Sequence, residues 1–284
     1  MIGEIYFVDK NKKIDVAGLL KYGRREIIDI DVQPYNIIVF PNNQILSSNC
    51  NDKCLTLYDQ NLSLVKRIDR INGEEFAPVG IAIDEEEKTL YISDTQYNRI
   101  LMTNLEFHKI KALGSTGSAD NQFNTPSDLC FQNNHLYVCD YHNKRIQIYS
   151  KKLELLKSLK LDCLAWKIKA SNSILCIEPG YPDGLHFFSI KNLQFMFKKN
   201  YNHGVCRISE INSCFYELSH KLKKVYCYDM NGNLKEEIIL NGVDHFLTCT
   251  WDGNFIDFNQ TLLMTCLNKK KIIKFTKKEQ KINI

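Results

Sequence analysis

The feature that most narrows what this chain can become is a motif that returns every forty-odd residues. Leu90-Tyr-Ile-Ser-Asp94-Thr-Gln-Tyr-Asn98-Arg99-Ile100 is matched by Leu136-Tyr-Val-Cys-Asp140-Tyr-His-Asn143-Lys-Arg145-Ile146. Weaker copies keep the rhythm. Ile45 to Leu57 has Asn49 in the Asp place and Cys54 in the Arg place, and Ile5 to Asp9 leads into Lys13 and Ile14. Ile174 to Phe188, Ser213 to Tyr228 and Leu262 to Phe275 keep two short strands around a polar loop. The first apolar residue after each loop falls at Ile14, Leu55, Ile100, Ile146, Leu185, Val225 and Ile272, a mean spacing of 43. Several short strands in a repeat of that length is the spacing of propeller blades. A helical solenoid would instead need long stretches with apolar residues at i, i+3, i+4 and i+7, and the chain offers none. The apolar segments are short, rich in Ile, Val, Tyr, Phe and Leu, and bounded by Asn-rich turns. With 27 Asn against 13 Gly, Asn is expected at many left-handed turn positions.

The expectation is an all-β propeller in a single domain spanning residues 1–284. Residues 34–284 would form six four-stranded repeats beginning near Pro34, Pro78, Pro126, Trp166, Val205 and Phe246. Residues 1–33 would form a partial first blade with one strand pair at Ile5–Ala17. Seven blade-like repeats result, the first incomplete; the alternative is a six-bladed ring plus an extra N-terminal hairpin. An incomplete blade needs a strand from elsewhere in the chain to cover its edge. In the clearest repeat the strands a to d are expected at Pro126–Phe131, Leu136–Asp140, Arg145–Tyr149 and Leu155–Leu161.

Composition is that of an ordinary globular chain, 44% hydrophobic and 25% charged over 284 residues. No stretch approaches the ~18 apolar residues of a membrane span, and the start lacks an apolar run of signal-peptide length. A soluble, cytoplasmic location is therefore expected, with no membrane partner. A net charge of +4 is too mild to indicate nucleic-acid binding by itself, and no DNA partner is expected. Eleven cysteines without a C-x-x-C pair point away from zinc modules and toward reduced thiols. Cys130, Cys139, Cys176, Cys206, Cys214, Cys227 and Cys249 sit in apolar segments, where free Cys acts as a small hydrophobe.

Residues 76–113 and 123–161 resemble the NHL repeat, through Pro78, Gly80, Ile81, Ala82, Leu90, Tyr91, Asp94, Asn98, Arg99 and Ile100 in one copy. Pro126, Leu136, Tyr137, Asp140, Asn143, Arg145 and Ile146 carry it in the next. Gly114 to Phe123 is similar to the family's inter-blade loop. The resemblance implies an NHL-type β-propeller, a fold that is often the C-terminal partner-binding domain of tripartite-motif (RING/B-box) proteins and in some members binds single-stranded RNA. The RING and B-box are absent here, so ligase activity does not carry over. The domain is expected as a monomer or as part of a larger chain.

Asp94 with Arg99 and Asp140 with Arg145 stand at opposite ends of their b–c loops. They are expected to pair across the hairpin mouth and hold loop geometry. All b–c loops should emerge on one face of the disc, which makes that face the candidate binding surface. Its basic residues concentrate at Lys10, Lys12, Lys13, Lys221, Lys223, Lys224, Lys269, Lys270 and Lys271, with Lys144 on another blade. Such an arc attracts phosphates or an acidic protein. Tyr97, Tyr141, His142 and Tyr181 are loop aromatics able to stack on bases, but they sit on other blades than the lysines. Lysine-rich turns also serve solubility alone.

No G-x-S-x-G, G-x-x-x-x-G-K or H-E-x-x-H pattern occurs. Some six-bladed propellers similar in shape to NHL proteins are lyases or lactonases with His or carboxylate metal ligands around the channel mouth. His203 and His245 precede strand a in consecutive repeats, yet no third His repeats that position. Asp84 to Lys88 reads as a solvated a–b turn lacking calcium-loop spacing. The expectation is thus a non-enzyme without cofactor or metal ligands, binding a protein through one face. Single-stranded RNA binding through the basic arc is the alternative, and a metal-dependent propeller lyase or hydrolase is a more distant one.

Overall fold

The computed structural model describes residues 24–30, 32–179, 184–199, 204–209, 214–219, 224–229, 231–239, 255–258, 261–266 and 271–276. These form 24 strands in six four-stranded antiparallel sheets. A strand β1 (Arg24–Asp29) precedes the first sheet, which comprises β2 (Asn36–Val39), β3 (Ile45–Asn49), β4 (Cys54–Tyr58) and β5 (Leu64–Ile68). The second holds β6 (Pro78–Asp84), β7 (Thr89–Asp94), β8 (Arg99–Asn104) and β9 (Lys109–Leu113). The third holds β10 (Pro126–Gln132), β11 (His135–Asp140), β12 (Arg145–Ser150) and β13 (Leu155–Lys160), close to the boundaries the repeat implies. The fourth holds β14 (Ala165–Ala170), β15 (Ile174–Pro179), β16 (Leu185–Ser189) and β17 (Phe195–Lys199). The fifth runs β18 (Gly204–Ser209), β19 (Cys214–Ser219), β20 (Lys224–Asp229) and β21 (Leu234–Ile239).

The sixth sheet solves the closure problem. It contains β22 (Phe255–Phe258), β23 (Thr261–Cys266) and β24 (Lys271–Thr276), and its fourth strand is β1, paired antiparallel with β24 from Arg24↔Thr276 to Asp29↔Lys271. The covering strand thus comes from ahead of the first sheet. Hydrogen bonding between the two ends of the repeat array closes an edge that would otherwise stay open. The strand pair expected at Ile5–Ala17, and the start expected near Phe246, lie outside the described residues.

Inner strands meet their counterparts in the next sheet, from β2 through β6, β10 and β14 to β18, and β22 meets β2. This is the arrangement of blades around an axis. Burial follows from it. Strands β2, β3 and β4 are buried at every residue, because each sheet is covered on both faces by neighbours, whereas the outer β5 is exposed at four of five. The apolar core is a series of interfaces between sheets. Ile38, Leu46 and Leu55 pack against Ile81, Leu90 and Leu101. Ala82 and Tyr91 pack against Leu129, Leu136 and Tyr149, and Tyr137, Cys139 and Ile146 against Ile168, Leu175 and Ile177. No repeat completes such a core alone.

Where inner strands crowd the axis, side chains shrink and polar cross-links appear. A Cβ on Gly80 would lie 2.7 Å from the Leu129 nitrogen and 2.9 Å from the Asp128 Cα, so the glycine of the repeat permits close approach of β6 to β10. Ser48 Oγ donates to the Val79 carbonyl at 2.6 Å, Ser93 Oγ to that of Ser127, and Ser127 Oγ to that of Trp166 at 2.9 Å. Each serine satisfies a carbonyl of the following blade.

Candidate functional site

The b–c loops are built by local rules that recur. In the first three sheets each spans four residues, and the last of them, Lys53, Asn98 or Lys144, adopts left-handed φ of 49°, 51° or 50°. That turn returns the chain in register, setting Asp94 opposite Arg99 and Asp140 opposite Arg145. Arg99 Nε donates to Asp94 Oδ2 at 2.7 Å, and Arg145 Nε to Asp140 Oδ2 at 2.7 Å. The carboxylates also reach backward. Asp94 Oδ1 accepts the Ala77 N–H at 2.8 Å, and Asp140 Oδ1 accepts the Asn124 N–H at 2.8 Å. The guanidiniums hold the same connections: Arg99 donates to Glu74 and to the Glu75 carbonyl, Arg145 to the carbonyls of Ala119 and Gln122. Each pair is therefore a clasp that binds a b–c loop to the connection entering its own sheet. Burial pushes the Asp94 carboxyl upward, while the Ala77 N–H and Arg99 pull it the other way. In the first sheet Asn49 replaces the acid and its amide donates to the Cys54 carbonyl and to Thr56 Oγ1.

Loops and connections of the first three blades thus share one end of the sheets. Two basic residues at these loops, Arg99 and Arg145, are consumed inside the clasps. Lys224 opens strand β20 and its Nζ donates to Glu237 at 2.7 Å. Lys271 lies in β24 opposite Asp29 and Cys266. Lys144 is exposed at the left-handed position of its loop. Lys10, Lys12, Lys13, Lys221, Lys223, Lys269, Lys270, Tyr181, His203 and His245 lie outside the described residues.

The described aromatics form a distinct group. Tyr141 and His142 sit in a 3-10 turn between β11 and β12, and Tyr141 meets both rings around it edge-on, His142 at 4.8 Å and Trp166 at 5.3 Å between centroids. His142 is exposed; Tyr141 and Trp166 are half-buried. Tyr97, 40% exposed, lies under the Arg99 guanidinium at 5.3 Å and donates to Glu75 at 3.4 Å. Trp166 belongs to this ledge although it escapes a loop-based search, because it is the second residue of an inner strand. Its cue is its place in the repeat, just after the position where Pro126 starts the preceding inner strand.

A second polar cluster spans the axis. Asp128 in β10 accepts the Asn36 amide from β2 at 2.9 Å and the Ile168 N–H from β14 at 3.1 Å, with Lys169 Nζ at 3.5 Å. Three blades are cross-linked by this one carboxylate. On the far side of the disc an axial funnel of about 560 Å³ opens among the a–b turns, past Asp84, Glu85, Asn133 and Asn172.

The NHL-repeat family model matches residues 123–149, which are the third sheet's entering connection and its strands β10 to β12. NHL repeat-containing protein 2 of Gallus gallus is 28% identical over 102 residues, 32% of this chain and 14% of that protein's length. Virginiamycin B lyase of Staphylococcus aureus superposes with a TM-score of 0.62 at 12% identity, covering 89% of this chain and 99% of the lyase. The WD40 repeats of RRP9 give 0.62 and 12% over 89% of this chain and 97% of that one. At such identities the structural likeness establishes the fold alone. Repeat, register and structural likeness agree on a β-propeller, in which residues 123–149 match the NHL repeat.

Proposed function

We propose that this propeller is a non-enzymatic recognition module that binds a protein partner through the face made by its b–c loops and inter-blade connections. The observation that carries this reading is the ledge of Tyr141, His142 and Trp166, held beside the Asp140–Arg145 clasp. Aromatic side chains on a rigid support give large contact area at little entropic cost, the pattern of binding hot spots. Charge on the same described loops is largely neutralised internally, since Arg99 and Arg145 face buried carboxylates. A phosphate backbone would find few free cationic side chains there to displace its counterions. The similarity of part of the chain to an NHL repeat-containing protein supports a scaffold role, although structural likenesses include a lyase. Single-stranded RNA binding through Lys10–Lys13, Lys221–Lys224 and Lys269–Lys271 is the second reading, and it rests on the lysine spacing in the sequence.

The test is site-specific photocrosslinking in cell extract, with benzoylphenylalanine at exposed His142 or at exposed Glu86 on the a–b side. A nuclease-resistant protein adduct from position 142 and none from 86 is the expected result. Adducts lost on nuclease treatment would favour RNA, and equal adducts from both positions would refute a one-sided surface.

A further inference from the structure

The clasp is missing from the fourth sheet. Its inner strands pair as the third sheet's do, with Ala165 opposite Pro179 where the third has Pro126 opposite Asp140. Ile177 opposite His186 likewise matches Val138 opposite Gln147. In this frame Pro179 takes the place of the clasp aspartate and Gly184 that of the clasp arginine. Cys163 takes the place of Asn124, the residue whose N–H the aspartate holds, and His186 the place of Gln147, whose amide also reaches Asp140. The hub of the clasp has been deleted, and different chemistry stands around the gap.

That chemistry is a cysteine, a histidine and a carboxylate. One ligand atom from each of Asp162, Cys163 and His186 lies within 4.8 Å of the other two. Cys163 and His186 are both 6% exposed, and Asp162 is at the surface. Cys163 Sγ and His186 Nδ1 are 3.6 Å apart. A tetrahedral Zn²⁺ with bonds of about 2.3 Å to sulfur and 2.0–2.1 Å to nitrogen spaces those two atoms about 3.6 Å apart. An S–H···N hydrogen bond has the same length, but it gives no part to the third group, the neighbouring carboxylate. Thiolate and imidazole together favour zinc over the hard cations.

We propose that Asp162, Cys163 and His186 form a zinc-binding site that replaces the Asp–Arg clasp in the fourth blade, tying the connection between β13 and β14 to β16. Three protein ligands leave a fourth position for solvent on the Asp162 side. Metal binding there would stabilise the folded state in proportion to occupancy.

The experiment uses the full chain, stripped with chelator under reducing conditions and titrated with Co²⁺, then with Zn²⁺ in competition. One Co²⁺ per chain, with a thiolate-to-metal charge-transfer band and the visible bands of tetrahedral cobalt, is expected. Zn²⁺ should displace it and raise the melting temperature. Cys163→Ser should abolish the band. His186→Gln, which restores the residue type of the third blade, and Asp162→Asn, at an exposed position that leaves the core intact, should each weaken affinity on the order of tenfold or more. Absence of a charge-transfer band, the same band in Cys163→Ser, or unchanged affinity in both His186→Gln and Asp162→Asn would overturn the proposal.

Discussion

The clasp of the third blade yields the sharpest quantitative prediction. Four donors converge on Asp140: the Asn124 N–H at 2.8 Å, Arg145 Nε at 2.7 Å, Asn143 Nδ2 at 2.9 Å and Gln147 Nε2 at 3.3 Å. The Asp140 side chain is fully buried and that of Arg145 is 10% exposed. Asp140→Ala would strand a guanidinium in a nearly dry site. Removing one member of a buried ion pair costs about 3–5 kcal/mol. Arg145 keeps its bonds to the Ala119 and Gln122 carbonyls at 2.8 and 2.9 Å, so the lower end, about 3 kcal/mol, applies. That is a large share of the roughly 5–15 kcal/mol that holds a domain together. Urea unfolding of wild type, Asp140→Ala, Arg145→Met and the double variant measures it. The double variant should lose clearly less than the sum of the singles, with a coupling of at least about 1 kcal/mol. The exposed pair Lys151–Glu87 serves as control, and Lys151→Ala should cost far less than Asp140→Ala. An Asp140→Ala chain within about 0.5 kcal/mol of wild type would refute the reasoning.

Gly80→Ala should cost about 2 kcal/mol and lower the melting temperature by roughly 4–8 °C in scanning calorimetry, because the new Cβ meets backbone rather than a movable side chain. Burial pushes the Cys54 thiol up to about 11, so at pH 8 roughly one molecule in a thousand carries the thiolate. Mass spectrometry after brief iodoacetamide treatment should find Cys54 unlabelled in the native chain and labelled after unfolding. Glu74 is held below the ordinary carboxylate range by Lys109 and Arg99. Its contribution to stability is present above the unfolded-state value of about 4.3 and is lost as the pH falls through the lower folded value. The stability gap between wild type and Glu74→Gln, read by urea titration, should be widest near neutrality and close in acid.

What the sequence made legible is what the repeat states twice. Asp94, Arg99, Asp140 and Arg145 recur with their loops, so their pairing follows from spacing alone. The excess of Asn is also meaningful: Asn43, Asn72, Asn98, Asn121, Asn133 and Asn134 all take positive φ. Features that depend on distant or unrepeated contacts were hidden. The strand Arg24–Asp29 carries no trace of the motif, and its partner lies at the other end of the chain. Leu62, Phe107, Leu153 and Leu193 occupy left-handed turns between c and d strands, where Gly or Asn would be expected. Leu62, Phe107 and Leu153 are buried there, and packing of the side chain, about 2–3 kcal/mol, outweighs the 1–2 kcal/mol of backbone strain. Gly232 at the matching turn of the fifth sheet shows the conventional choice. Asp128 lies mid-strand between Ser127 and Leu129, and only the convergence of three inner strands reveals its partners. Much of the lysine arc, by contrast, remains a matter of sequence position.

Everything proposed about a binding face depends on the sheets closing into a ring, and ring closure depends on β1 lying against β24. Hydrogen–deuterium exchange of the intact chain tests that contact directly. Amides of 24–29 and 271–276 should exchange slowly, together, and with the same denaturant dependence, as two strands of one sheet must. Fast exchange of 24–29 at the rate of an unpaired segment, with 271–276 protected independently, would contradict closure and dismantle the shared face.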